Sequence, residues 1–140
     1  MKLIFEIAIE IDLLPLNFEI EKPMYVSPLN TDLLFEEAQK DSLYLNLIEQ
    51  LNKDFNLANE GIDFPLSITP DELKIQLHEK IYRMIQYKFA EYLNLLYIID
   101  VPENEIKQLD GSDLVSLAEE VSFLILKREW QKVWFRNFYK

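Results

Sequence analysis

The fold is decided by residues 69–99, which read TPDELKIQLHEKIYRMIQYKFAEYLNLLYII. Thr69 is a favourable helix cap, and Pro70 has the fixed φ angle that suits a first helical position. Glu72 stands three residues after Thr69 and completes the capping-box pattern. Apolar residues then recur every three or four positions to the end of the stretch without a helix breaker. The stretch therefore predicts a long helix over residues 70–99.

A straight helix of this length is too long for the molecule. A helix of about 30 residues spans roughly 45 Å. A chain of 140 residues that folds as one domain fills a sphere roughly 37 Å across. We therefore expect the helix to bend or break near residues 86–91, or its overhang to pack on a partner.

The segment before this helix is also predicted to be helical, over residues 31–58. Thr31 is a candidate cap, and the acidic residues that follow it suit the start of a helix. The apolar pattern is interrupted at residues 40–42, which read KDS. We therefore expect either one kinked helix or two short ones.

Two further helices are predicted near the C-terminus. Asp100 as a cap and Glu103 reaching back to it predict a short helix over about residues 102–108. Ser112 is a candidate cap for a last helix over residues 112–138. Acidic residues come early in that helix and basic residues come late, which complements the helix dipole.

The N-terminal residues have a different period. Residues 5–12 alternate strictly between apolar side chains and polar or small ones, and residues 16–20 repeat the alternation after Pro15. A period of two is typical of a β-strand, so we expect a β element in residues 1–22. Together the patterns predict a single domain over residues 1–140 with a mainly α fold: a helical bundle of four to five helices with a short N-terminal β-strand or hairpin.

The composition excludes most catalytic chemistry. The chain has no cysteine and one histidine, which excludes thiolate metal sites, cysteine nucleophiles and any site that needs two imidazoles. It has two glycines, too few for a glycine-rich phosphate-binding loop. We therefore expect no catalytic, cofactor-binding or metal-binding residues, no cofactor and no enzyme activity.

The sequence contains no segment that predicts export or membrane insertion. Three acids interrupt the apolar N-terminus before a signal-peptide core could form: Glu6, Glu10 and Asp12. A membrane-spanning helix would need a run of about 18 apolar residues without charges, and the chain has none. We therefore expect a cytoplasmic protein without a membrane span.

Three other features resemble functional sites, and a structural explanation is favoured for each. His78 has no second histidine with which to form a site, so a packed or surface role is favoured. Three acid pairs stand in the first or second turns of predicted helices, where negative charge is favourable: Glu36–Glu37, Asp71–Glu72 and Glu119–Glu120. Residues 110–113, which read DGSD, lack the ligand spacing of a calcium loop and predict a turn followed by a cap.

Positive charge is concentrated at the C-terminus. The chain has 14 Lys and Arg against 25 Asp and Glu, which gives a net charge of −11. The last 20 residues contain five cations and one acid, a net +4, so the first 120 residues carry −15. A negative charge of this size opposes binding of the whole chain to nucleic acid.

Aromatic side chains alternate with these C-terminal cations, a mixture that can anchor a protein interface. The alternative is packing within the chain, because aromatic residues at helical spacing commonly belong to the core and the cations can pair with the chain's own acids. We predict a partner-binding set on the last helix: Trp130, Trp134, Arg128, Lys132 and Arg136. The predicted partner is another protein or a second copy of this chain.

Two C-terminal segments carry a resemblance. Residues 96–103 read LYIIDVPE and residues 128–132 read REWQK. They resemble a group of small uncharacterised bacterial helical proteins, in which a Leu-Tyr-x-Ile-Asp-Val-x-Glu segment precedes a final helix with an Arg-x-x-x-Lys ending. The resemblance covers the C-terminal half of the chain. It implies a helical fold and no particular activity.

Two functions follow from these observations. The first is a non-catalytic protein-protein interaction protein that acts as a small subunit, adaptor or assembly component. The second is an acidic inhibitor or immunity-type protein that masks a basic surface of its partner by electrostatic complementarity. A third hypothesis, an enzyme that uses carboxylates, requires a cleft with a strongly perturbed acid.

Overall fold

The computed structural model describes residues 23–139, and this part of the chain is mainly helical, as predicted from the sequence. It contains six helices and no strand: α1 (Thr31–Lys40), α2 (Tyr44–Leu57), α3 (Pro70–Tyr87), α4 (Phe89–Ile99), α5 (Glu103–Lys107) and α6 (Leu114–Phe138). The number exceeds the expected four to five because both helices that were expected to bend are divided in two. The β element predicted in residues 1–22 lies outside the described residues.

The start and the break of the long helix follow the sequence pattern. Glu72 N–H donates to the Thr69 hydroxyl at 3.2 Å, and Thr69 N–H donates to Glu72 Oε1 at 3.3 Å, so the capping box is formed. The helix breaks at Lys88, where φ is −139° and ψ is 55°. The break separates α3 from α4 and shortens the longest straight segment of this region to 18 residues.

Three helices end in the same backbone conformation. The residues at their ends have left-handed φ angles: Ser42 (59°), Asn59 (62°) and Asp100 (69°). After α1, Leu43 N–H donates back to the Ala38 carbonyl at 2.8 Å, and equivalent bonds close the ends of α2 and α4. This is the Schellman arrangement, which satisfies the last free carbonyls of a helix. Asparagine and aspartate tolerate this conformation better than most residues other than glycine.

Several predicted caps are therefore wrong. Asp100 ends α4 instead of beginning α5, whose first cap position is Pro102. The cap of α1 is Asn30, whose side-chain oxygen accepts from Leu33 N–H at 2.9 Å. The cap of α6 is Asp113. Asn30 is a stronger cap residue than the neighbouring Thr31, whereas Asp113 and the neighbouring Ser112 are caps of similar strength, so the residue type does not choose between them.

The core is built around α6. This helix packs against α1, α2, α3 and α4, and its contact with α3 is the most extensive. Trp130, near the middle of α6, is the bulkiest fully buried side chain among residues 23–139. Buried positions lie on most sides of α6 from Ala118 to Trp134, so this helix forms the centre of the described part of the fold.

Candidate functional site

The two tryptophans of the predicted partner-binding set lie inside the fold. Trp130 has no exposed surface, and Trp134 is 4% exposed. The Trp134 ring is 5.3 Å from the Tyr25 ring and 4.9 Å from the Phe138 ring, measured between centroids. These contacts hold the segment before α1 against the end of α6. Trp130 therefore contributes no surface to which a partner could bind.

The cations of the predicted set contact the chain's own polar groups. Arg128 donates to the Asp100 carbonyl at 3.0 Å and to the Asp100 carboxylate at 2.9 Å. Arg136 donates to the side-chain oxygen of Gln50 at 2.7 Å. Lys132 contacts two carboxylates, which are described below. The three cations thus connect α6 to α2 and to the end of α4, and their role toward a partner stays a prediction.

A buried polar cluster joins α2 to α6, and we call it the carboxylate cluster: Gln50, Asp54, Glu129 and Lys132. Lys132 Nζ lies 2.7 Å from Asp54 Oδ2 and 2.7 Å from Glu129 Oε1. Gln50 donates to Asp54 Oδ2 at 3.1 Å. Glu129 has no exposed surface, and Asp54 is 4% exposed. The Lys132–Glu129 contact has the distance of an ion pair but not the geometry of a hydrogen bond.

The two acids of the cluster have opposite pKa shifts. Burial raises the pKa of Glu129 to about 9, and the neighbouring Asp54 carboxyl group adds to the rise, while Lys132 opposes it. Burial alone would also raise the pKa of Asp54, but the neighbouring Glu129 and the hydrogen bonds from Lys132 and Gln50 outweigh it and lower that pKa below its usual value. Two carboxylates this close do not both ionise readily. From the opposite directions of the two shifts we infer that the pair holds one proton at neutral pH and that Glu129 carries it.

Two neighbouring carboxyl groups whose pKa values are shifted in opposite directions can perform acid–base chemistry when a substrate reaches them. Here both acids are buried between α2 and α6, and the charged group that completes the site is a lysine of the same chain. The cluster therefore works as an internal contact. Removing one partner of such a contact leaves an uncompensated buried group, which is strongly destabilising.

Sequence reasoning missed Glu129 although a signal was present. Glu129 stands four residues after Ile125 and four before Val133, and both of these are fully buried. Residues four apart share a helix face. The helical period thus places Glu129 in the buried stripe of α6, whereas its charge suggested a solvent-exposed position.

An exposed apolar surface lies on α4 and at the end of α3, and we call it the α4 face: Tyr87, Phe89, Leu93 and Tyr97. These side chains are 75%, 54%, 49% and 82% exposed, respectively. Phe89, Leu93 and Tyr97 are spaced by four residues, so they follow one side of the helix. The opposite side of α4 is buried in the core through Tyr92, Leu95, Leu96 and Ile99. A helix that is apolar on both sides commonly has both sides covered.

Ion pairs hold α4 in place at both ends. At its start, Lys88 Nζ lies 3.0 Å from Glu60 Oε1, and the Glu60 side chain is 1% exposed. Lys80 of α3 approaches the same oxygen at 3.2 Å. At the end of α4, Arg128 pairs with Asp100. The α4 face is therefore presented on a helix that is fixed to α3, to the segment after α2 and to α6.

The remaining candidate residues have local structural contacts. His78 is half-buried, and its Nε2 lies 3.1 Å from the Val115 carbonyl. The three acid pairs stand in early turns of α1, α3 and α6, and none of their residues is buried. Asp110 accepts from Ser112 N–H at 3.0 Å, which is the turn predicted for this segment.

Residues 23–139 contain no group of three or more histidine, aspartate or glutamate side chains that could hold a metal ion. Within the same residues, no helix combines the length and the apolar character needed to cross a bilayer.

Comparison of the chain with models of protein families, with curated protein sequences and with solved structures finds no match. The resemblance of residues 96–103 and 128–132 to small bacterial helical proteins therefore stays a prediction.

Proposed function

We propose that this protein is a non-catalytic interaction protein, a small subunit, adaptor or assembly component, that binds another protein through the α4 face. The exposure of Phe89, Leu93 and Tyr97 along one side of α4, together with that of Tyr87 at the end of α3, carries the proposal. Contiguous apolar patches on a folded surface commonly mark binding sites. Aromatic side chains are enriched among the residues that contribute most to interface affinity.

The way in which α4 is held also supports a binding role. Its buried side is anchored in the core, and its ends are fixed by the Lys88–Glu60 and Arg128–Asp100 pairs. A rigid helix loses little conformational entropy when a partner binds to it. Most of the binding free energy of the aromatic side chains would therefore remain available for affinity.

The alternative function is an acidic inhibitor or immunity-type protein that masks a basic surface. The observation that favours it is the net charge of −11, together with the pairing of Lys127, Arg128 and Lys132 with acids of the same chain. These pairs leave an excess of acids to face a partner. Such a complex would depend on charge and not on the α4 face.

Affinity capture from the native host separates the two functions. The bait is the full chain as wild type, as Tyr87→Ser/Tyr97→Ser, and as the control Ile75→Ser, which changes a 66% exposed side chain of α3. If the α4 face binds the partner, the double variant loses it, the control keeps it, and capture survives an increase from about 0.1 to about 1 M salt. Equal capture by all three baits overturns the α4 proposal, and loss of that capture in high salt favours the inhibitor.

A further inference from the structure

We propose that the α4 face binds the same face of a second copy of this chain and forms a two-fold symmetric dimer. This inference rests on the proposed function and names the partner. It is carried by three properties of the face: its symmetric spacing, its lack of charge and its area.

Three of the four side chains of the face, those that lie on α4, have a self-complementary spacing. Phe89 and Tyr97 stand four residues before and four residues after Leu93, so the order along the helix is aromatic, leucine, aromatic. In a two-fold dimer the same surface is used by both copies. With the two α4 helices antiparallel and Leu93 at the axis, Phe89 of each copy would meet the partner's Tyr97. The reversed pattern therefore matches itself, with an aromatic side chain opposite each aromatic side chain.

The face carries no charge although the chain as a whole is strongly acidic. Glu91, the one charged residue within α4, lies roughly 160° around the helix from Leu93. Lys88, which precedes α4, is already paired with Glu60. Two copies can therefore meet at this face without placing like charges directly opposite each other. Repulsion between the two chains, each of net charge −11, remains as a long-range effect that salt screens.

The area of the face suits a weak dimer. Taking about 200 Å² for each aromatic side chain, the exposed fractions leave on the order of 500 Å² of apolar surface on each copy. Two copies would then bury on the order of 1,000 Å², near the lower limit of specific interfaces. An interface at this lower limit is typical of weak, reversible association, so we expect a reversible dimer.

Sedimentation equilibrium of the purified full chain, from about 1 to about 500 μM, tests this inference. We expect a shift from monomer to dimer across this range. Raising salt from about 0.1 to about 1 M should tighten the dimer, because the Debye length falls from about 10 Å to about 3 Å and the like charges are screened. Association with a basic partner would respond to salt in the opposite direction.

Variants identify the face that is used. Tyr87→Ser/Tyr97→Ser removes two highly exposed rings and leaves the core of α4 in place. We expect it to raise the dissociation constant at least about tenfold, which corresponds to about 1.4 kcal/mol. The matched control Ile75→Ser lies about 18 Å along α3 from Tyr87 and should leave the constant unchanged. Circular dichroism of each variant verifies that the helices are retained.

A wild type that stays monomeric throughout the range overturns the dimer, as does a dimer that the double variant leaves intact. A different result decides whether the proposed function is correct. If the chain is monomeric but the double variant loses a different protein in the capture experiment, the α4 face binds that protein and the function stands without the dimer.

Discussion

Replacement of Glu129 by glutamine, Glu129→Gln, is expected to stabilise the protein at neutral pH. In the folded chain the pKa of Glu129 is about 9, against an ordinary value of 4.5. On unfolding at pH 7 Glu129 loses its proton, so ionisation favours the unfolded chain. Glutamine resembles the protonated acid: its amide can donate to Asp54, its carbonyl can accept from Lys132, and it does not ionise.

The expected effect has a defined pH window. Because the folded pKa lies above the unfolded one, the stability that Glu129 contributes is complete below about pH 4.5 and is lost as the pH rises to about 9. At pH 7 the interval between the ordinary pKa of 4.5 and the pH of the solution sets an upper figure of about 3 kcal/mol. Within the window, the free energy of unfolding of the wild type should fall relative to that of Glu129→Gln by up to about 1.4 kcal/mol per pH unit. Asp54 has a lowered pKa, so its own loss of stability comes at more acidic pH.

Urea unfolding followed by tryptophan fluorescence measures this difference, since Trp130 and Trp134 both lie in the core next to the cluster on α6. Curves at intervals from about pH 5 to about pH 9 give the slope. The matched control is Glu79→Gln, an exposed glutamate paired with Arg83, which should shift stability by less than about 1 kcal/mol without this slope. Parallel pH profiles of wild type and Glu129→Gln would show that Glu129 is ionised in the folded chain and would refute the one-proton cluster.

Substitutions at three further positions test the fold. Trp130→Ala should lower the free energy of unfolding by about 3–5 kcal/mol, because it empties a fully buried site; a loss below about 1 kcal/mol in urea unfolding would contradict the placement of this ring. Thr69→Ala removes the capping box and should cost about 1 kcal/mol in thermal or urea unfolding, whereas an unchanged stability would mean that the cap does not hold the start of α3. Asn59→Ala places alanine at a φ of 62° and should cost about 1 kcal/mol, while Asn59→Gly should not; equal losses in both variants would contradict the left-handed end of α2.

The start of the long helix could be predicted because the deciding information is local: the capping box at Thr69 needs residues within three positions. The break near Lys88 is one of the two outcomes that the length of the apolar pattern and the size of the globule allow. Helix ends that depend on distant contacts are harder to predict from the sequence. Asp100 has the side chain of either a first or a last cap, and the Arg128 that binds it is 28 residues away in the chain.

The candidate surfaces show a second limit of local reasoning. On α6, aromatic and basic residues in one segment predict equally an interface or a core, and only the positions of Asp54, Asp100 and Gln50 decide where the cations point. Lys132 and its partner Asp54 are 78 residues apart. On α4, the side chains are apolar almost all round, so the sequence pattern does not distinguish the side that packs from the side that stays exposed.

Site-specific photo-crosslinking in the native host tests most directly whether the α4 face binds a protein. A benzophenone amino acid replaces Tyr97 on the face, or Asn104 of α5 as an exposed control. If the face binds a protein, position 97 gives an adduct of one discrete mass and position 104 gives none. Excess wild-type chain should suppress this adduct, whereas excess Tyr87→Ser/Tyr97→Ser should not. The absence of an adduct at position 97, or an adduct of the same mass and yield from both positions, would contradict binding through the α4 face.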